Sequence, residues 1–428
     1  MRLRRTRKAG MFLASYIAVG VAATLLQPPG SAAAAGNTLT VNVGTTVRPV
    51  THVAAGGLYG VNPGTSQSLM NALHPKQFTQ PPPGTQQLGN GATSPCCDAL
   101  SVNSKIAGAG AHQYIRMPDI FRNFPYNWVS WNDWNAKVDT MVQTTLNAGS
   151  GASSVNGWEI WNEPDWTWPS AAGSWLSGWT TTYNRIRTKD KNKPIVGPGY
   201  STYNHAQMLS FFTNAKNTNT LPAVAVWHEL QDDSYLNVQA HVNDFRAIEN
   251  TLGIAHRPIS INEYASTGQI DQPSVAVHYM AVFERAGVDN AERAYWYEAG
   301  TLNGLLYNNQ PTASYWAYKW YGDQSGNVVQ TVPGSWLEGV ASYDSGSRQV
   351  NVVFGGDSGN NSVKINGLSA LGSSVSVKLS RTETTGRKTN ESAPVTISTT
   401  RYTVSNGSIT VPVNGMNAIS AYQLLITP

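Results

Sequence analysis

Apolar and polar positions follow two different periods along this chain of 428 residues. Between about 54 and 324, short apolar runs alternate with stretches of helical spacing. The runs centre on Leu58, Ile115, Ile160, Val196, Val226, Ile261 and Tyr295. Helices are predicted at 98–109, 131–147, 171–189, 204–217, 234–252, 273–286 and 311–322. Strands that alternate with helices at this spacing build parallel βαβ units. Seven strands are readable, and an eighth, expected in the 119–157 gap, closes a (β/α)8 barrel. No glycine-rich phosphate-binding turn follows any of them, which argues against a dinucleotide fold.

From about 325 the spacing switches to a period of two. Short alternating runs, such as Gln349 to Phe354 and Val375 to Leu379, are separated by Gly/Ser/Asn turns. This predicts an antiparallel β-sandwich. Leu39, Val41, Val43, Val47 and Val50 alternate with polar residues in the same way, so the leading strand is expected to join it. The expected division is a targeting segment at 1–35, a sandwich strand at 36–53, the barrel at 54–324 and the sandwich at 325–428. Residues 63–97 contain Pro81-Pro82-Pro83 and read as one long loop that shapes specificity. Cys96 and Cys97 are adjacent, either as a vicinal disulfide or as free thiols, and no Cys/His set accompanies them as in a zinc site.

Composition adds a location and a partner class. Arg2, Arg4, Arg5, Arg7 and Lys8 precede an apolar run and an Ala-rich cleavage site ending at Ala35. The protein is therefore expected to be secreted, with no membrane association once the signal is cleaved. The whole chain carries +4. Five cations and no acid precede residue 36, so the remainder has 24 basic and 25 acidic residues, net −1. That leaves no electrostatic footprint for nucleic acid. With 14 Trp, 19 Tyr and only 13% charged residues, the chain suits a neutral polar partner such as a polysaccharide or oligosaccharide.

Candidate chemistry lies where the predicted strands end, because barrel enzymes build their sites at the C-terminal ends of strands. Arg116, Asn162, Glu163, His228, Glu263 and Trp296 all occupy such positions. Glu163 is the focal residue: Trp158-Glu159-Ile160-Trp161-Asn162-Glu163 reads as a strand stopped by Pro164. Trp158, Trp161, Trp166 and Trp168 are expected to surround it as an apolar wall that raises its pKa. Glu159 reads as a structural acid inside the barrel, and Glu298 as a weaker rival carboxylate. Asp165, Trp166 and Trp168 are candidates for the leaving-group side.

Trp161-Asn162-Glu163-Pro164 and Ile261-Asn262-Glu263-Tyr264 resemble the fourth-strand and seventh-strand motifs of clan A glycoside hydrolases. The trailing sandwich and leading strand are most similar to glycoside hydrolase family 39. The resemblance implies a retaining hydrolase of equatorial glycosidic bonds in arabinose-, xylose- or galactose-containing side chains. It implies Glu163 as acid/base, Glu263 as nucleophile, Arg116 holding Glu263 ionised, and Asn162 on the sugar 2-hydroxyl. It places Trp296 beneath the sugar and His228 between the carboxyls, with no metal or other cofactor. Leu230 stands where the clan often has a tyrosine, and Tyr235 is the candidate substitute. The competing readings are a non-catalytic carbohydrate-binding protein on the same barrel scaffold and an inverting mechanism.

Overall fold

The computed structural model describes residues 37–85, 97–294 and 298–428. Eight parallel strands close a barrel: β2 (Gly56–Leu58), β3 (Gln77–Gln80), β4 (His112–Arg116), β5 (Val155–Glu159), β6 (Ile195–Tyr200), β7 (Val224–Trp227), β8 (Ile259–Tyr264) and β9 (Asn290–Arg293). Closure is the parallel pairing of β2 with β9. The strands are buried along almost their whole length because helices cover the outside. The covering helices are α1 (Gln67–Asn71), α2 (Asn103–Gly108), α3 (Trp131–Asn147), α4 (Pro164–Thr167), α5 (Trp175–Lys189), α6 (His205–Asn217), α7 (Val238–Leu252), α8 (Pro273–Ala286) and α9 (Ala313–Gly322).

Local signals explain the helix ends. Ser130, Ser174 and Asn204 cap α3, α5 and α6 by accepting the backbone N–H three residues on. Gly253 and Gly287 stop α7 and α8 in the left-handed conformation that favours glycine there. Among the described residues no helix is long and apolar enough to cross a membrane.

The eighth strand is not in the 119–157 gap. It is β3, inside the stretch expected to be a loop. Gln77-Phe78-Thr79-Gln80 carries no apolar run, yet all four residues are buried. The Gln77 amide exchanges hydrogen bonds with Asn156 at 3.0 and 3.1 Å, which satisfies that side chain inside the protein. The barrel thus counts Arg116 on its third strand, while Glu163 follows the fourth and Glu263 lies near the end of the seventh. Cys97 is disulfide-bonded, and Cys96 lies outside the described residues.

A short ribbon, β10 (Leu306–Tyr307) and β11 (Gln310–Pro311), sits on the barrel's last loop. The remaining strands are β1 (Thr38–Pro49), β12 (Asn327–Val332), β13 (Glu338–Asp344), β14 (Gln349–Gly355), β15 (Gly359–Asn366), β16 (Ser374–Arg381), β17 (Val395–Thr403), β18 (Ser408–Met416) and β19 (Ala421–Thr427). They form one nine-stranded sheet, ordered β17-β16-β19-β14-β13-β12-β1-β15-β18. Residues from both ends of it, including Val377 on β16 and Val411 on β18, share a single apolar cluster, so the sheet folds over into a sandwich. The leading strand β1 is in this sheet, but its pairing with β15 is parallel, the exception in an otherwise antiparallel arrangement.

Helix α8 joins the two parts. Pro273 to Glu284 is buried without interruption because α8 packs between the barrel and strands β13 and β14. At its end the buried Glu284 accepts Arg48 Nε of β1 at 2.6 Å and the Tyr321 hydroxyl of α9 at 2.5 Å. Glu284→Ala is expected to lower stability by about 3 kcal/mol, since one partner of a buried ion pair is removed. Urea unfolding checks this, with one cooperative transition at a lower midpoint as the expected result.

Candidate active site

The β5 ladder ends at Glu159, level with Arg116 on β4. It does not run on to Pro164. Instead the chain turns, and Glu163 takes a left-handed φ of 53° at the N-cap of α4. Pro164 starts that helix rather than stopping a strand. The turn is fixed by Glu163 N–H on Gly199 O at 2.8 Å and by the Thr167 hydroxyl on Asn162 O at 2.6 Å. A strained non-glycine residue held this firmly points to a functional position.

The barrel axis carries a chain of buried charges. Arg116 donates through Nε to Glu159 at 2.7 Å and through Nη1 to Glu263, and is 1% exposed. Asn262 Nδ2 also reaches Glu159, at 2.7 Å. The His228 ring stands between the two candidate carboxylates, with Nδ1 3.2 Å from Glu163 and Nε2 3.7 Å from Glu263. One ligand atom each of Glu163, His228 and Glu263 lies within 4.8 Å of the others. Because each ring nitrogen faces a different carboxylate, His228 bridges the pair and does not join them in chelating one ion.

Only one of the four tryptophans meets Glu163. Trp166 donates Nε1–H to Glu163 at 2.9 Å, and 54% of its surface is open to solvent. Trp158, Trp161 and Trp168 bond instead to Asp190, Thr167 and the Gly173 carbonyl. Trp161 and Trp168, 4.7 Å apart, belong to an aromatic layer that also takes in Trp128, Trp131 and Trp134.

The expected apolar wall is therefore absent, and donors replace it. Burial acts to raise the Glu163 carboxyl, but the His228 bond and charge, Arg116 and the Trp166 N–H together hold it below its ordinary value. At Glu263 burial dominates and, with the Glu163 charge, pushes the carboxyl up against His228 and Arg116. Burial acts to lower His228, and the charges of Glu263 and Glu163 overcome it and raise the imidazole. The charge state of each of the three groups therefore depends on the other two.

A cleft opens above them, lined by Arg116, Asn162, Glu163, Trp166 and Glu263, with Tyr59, Phe124 and Leu230 on its walls. Asn162 Oδ1 is buried without a hydrogen-bond partner, so it is free to accept from a ligand hydroxyl. Two expected residues lie elsewhere. Asp165 accepts the Ser201 N–H at 2.9 Å and ties two loops. Tyr235 donates to Asp233 at 2.9 Å and stacks on His278 at 4.5 Å, so it does not take the place left by Leu230. Trp296 lies outside the described residues.

Two residues were not anticipated. The Tyr59 hydroxyl accepts from Arg116 Nη1 at 3.2 Å and donates to Asp119. Asp119, wholly buried, also accepts from Tyr126 at 3.1 Å. Their one signal in the sequence is position: Tyr59 follows the first barrel strand, and Asp119 follows Arg116-Met117-Pro118.

The fold is a TIM barrel joined to a β-sandwich, and its site is a pair of buried glutamates, one after the fourth strand and one at the end of the seventh. The chain belongs to the same family as N2152 from Neocallimastix frontalis: 33% identity over 92% of this chain and 99% of that one, with a TM-score of 0.85. No protein-family model matches. It is 29% identical over 352 residues to a 3-O-alpha-D-galactosyl-alpha-L-arabinofuranosidase of Bifidobacterium longum, and 25% identical over 498 residues to a 3-O-beta-L-arabinopyranosyl-alpha-L-arabinofuranosidase of Bifidobacterium pseudocatenulatum. These matches take in 76% and 98% of this chain but only 29% and 50% of those longer proteins. A GH39 beta-xylosidase from Caulobacter crescentus shares the fold, with a TM-score of 0.62 at 14% identity over 91% of this chain and 100% of that one.

Asp119 yields a pH test. Burial pushes its carboxyl up to about 6, against Arg116, Tyr59 and Tyr126. A raised folded pKa favours the protonated form, so this stability is fully present below about pH 4 and lost as pH rises through about 6. Two units amount to roughly 3 kcal/mol. Asp119→Asn, which keeps the neutral shape, is expected to flatten the stability-versus-pH curve between about pH 4 and 6.5. Urea midpoints at each pH, wild type beside variant, check it.

Proposed function

We propose that the protein is a retaining glycoside hydrolase of clan A, close to family 39, that removes arabinofuranose-containing side chains from polysaccharide. The observation that carries this reading is the buried Glu163–His228–Glu263 cluster at the foot of an open cleft, its ligand atoms within 4.8 Å of one another. That spacing suits direct attack by one carboxylate. An inverting enzyme needs a gap of about 6.5–9.5 Å to admit water between the two. The curated relatives support the sugar, since both are named as alpha-L-arabinofuranosidases whose arabinose carries a 3-O sugar. Release of such a glycosylated arabinose unit is the preferred activity for this chain. The Arg-rich, then apolar, pattern of residues 1–35 supports a site of action outside the cell.

In the first step Glu263 attacks the anomeric carbon. Arg116 and His228 stabilise its anionic form, and the bond from the sugar to the leaving oxygen breaks. Glu163 protonates that oxygen with the proton it shares with His228. Once Glu263 is esterified its charge is gone, and the donors that depress Glu163 then keep it ionised as the base that activates water. The open Asn162 Oδ1 takes a sugar hydroxyl, and the exposed face of Trp166 stacks on the leaving group.

The test uses an aryl alpha-L-arabinofuranoside and 3-O-substituted natural substrates. Glu263→Ala is expected to lower kcat by about 10⁴ or more on every substrate. Glu163→Ala is expected to cost about 10²–10⁴ in kcat/KM on natural substrates and much less in kcat/KM on aryl glycosides, whose leaving group needs no proton, while kcat on aryl glycosides falls because water loses its base. Added azide should restore turnover of aryl glycosides by Glu163→Ala as a glycosyl azide of unchanged anomeric configuration. Wild-type hydrolysis by Glu263→Ala would remove the assignment.

A further inference from the structure

We propose that Tyr59 is the positioning residue for the nucleophile side of the site: its hydroxyl accepts one Arg116 Nη1 hydrogen and gives its own proton to Asp119, so that the other Nη1 hydrogen is aimed at Glu263. The proposal rests on the reading in which Glu263 attacks the sugar.

The guanidinium has little freedom. Nε and Nη2 face Glu159 at 2.7 and 3.4 Å, and Nη1 serves both Tyr59 and Glu263. A guanidinium presents its donors in one rigid plane, so fixing Nη1 from the Tyr59 side also fixes its direction towards Glu263. The direction of the Tyr59 proton is set as well. Asp119 accepts it, which leaves the hydroxyl lone pairs for Arg116. The Tyr59 ring is also close to the guanidinium, 5.7 Å from its centre to the carbon of the cation.

The backbone reinforces this placement. Tyr59 has a φ of 53°, a left-handed conformation uncommon for a bulky residue. The loop after β9 clamps it there. Asn303 Nδ2 donates to Leu58 O, and Leu302 N–H to Gly60 O at 2.8 Å. A Cβ at Gly57 or Gly60 would lie 2.3 or 2.1 Å from Asn303 Oδ1, so glycine at both positions lets the clamp close. Such strain persists where surrounding structure over-determines it, commonly at functional sites. Tyr59 also lines the cleft beside Glu263.

The charged and titratable groups that act on Glu263 include Arg116 from β4, His228 after β7, Glu163 after β5, Glu292 on β9 and Tyr59 after β2. Those that act on Asp119 are Arg116, Tyr59, Tyr126 and Glu159. Removing the Tyr59 hydroxyl frees one Arg116 hydrogen and loosens its aim. Glu263 is then protonated more readily, so the acidic limb of kcat/KM moves to higher pH.

The experiment measures kcat, KM and the pH profile of wild type, Tyr59→Phe, Tyr59→His and Glu263→Ala on one aryl glycoside, with melting temperatures alongside. For a folded Tyr59→Phe, kcat is expected to fall about 10- to 100-fold, KM to stay within about threefold, and the acidic limb to rise by roughly half to one pH unit. Histidine tolerates left-handed backbone and both accepts and donates, so Tyr59→His should keep kcat within about tenfold of wild type. Wild-type kcat in Tyr59→Phe, or a loss with the limb unmoved, overturns the proposal. If the Phe variant does not fold, the His variant decides at the tenfold threshold. An active Glu263→Ala brings down the nucleophile reading and this proposal with it. An inactive Glu263→Ala beside an unaltered Tyr59→Phe brings down this proposal alone.

Discussion

The guanidinium of Arg116 is the point on which the top of the barrel depends. A buried cation costs several kcal/mol unless carboxylates surround it in good geometry. Here Glu159 and Glu263 do so, one from the neighbouring strand and one from across the barrel. The geometry requires register: Arg116 and Glu159 are paired Cα partners on β4 and β5. A slip of one residue would turn one of them away from the interior. Closure of the barrel, burial of the charges and placement of Glu263 are thus one constraint.

That constraint divides the work between the two candidate carboxylates. Glu263 is fixed by Arg116, which is held in turn by Glu159 and Tyr59. Glu163 stands on a separate support: a left-handed turn, the Gly199 carbonyl and the start of α4. His228 links the two supports. The pair therefore joins two elements, the turn after the fourth strand and the end of the seventh, through the His228 ring. The sandwich, bound to the barrel through α8 and the Arg48–Glu284 contact, braces the seventh and eighth βα units from outside.

Much of this was legible in the sequence, for a physical reason. Residues at strand ends in a closed barrel must converge, so Arg116, Glu163, His228 and Glu263 could be grouped without coordinates. The parts that were hidden depend on partners distant in the chain. Gln77 to Gln80 is a strand because its backbone pairs with β2 and β4, and hydrophobic periodicity carries no trace of that. Three of the four tryptophans near Glu163 in sequence turn to scaffold contacts, since burial of an indole needs a partner for its N–H. Tyr59 and Asp119 look ordinary until Arg116 is placed between them. Tyr235 stands near the site in sequence, but Asp233 and His278 draw it away. The parallel β1–β15 pairing depends on the two ends of the chain meeting, which no local pattern encodes.

The central claim is double displacement between Glu163 and Glu263, and the stereochemistry of transfer tests it most directly. Turnover of an aryl alpha-L-arabinofuranoside in the presence of methanol, followed by proton NMR, traps the product before its ring can open and re-close. The account predicts the methyl alpha-L-arabinofuranoside, with configuration retained. The beta anomer as the sole transfer product, or release of inverted sugar with no methyl glycoside, would contradict it.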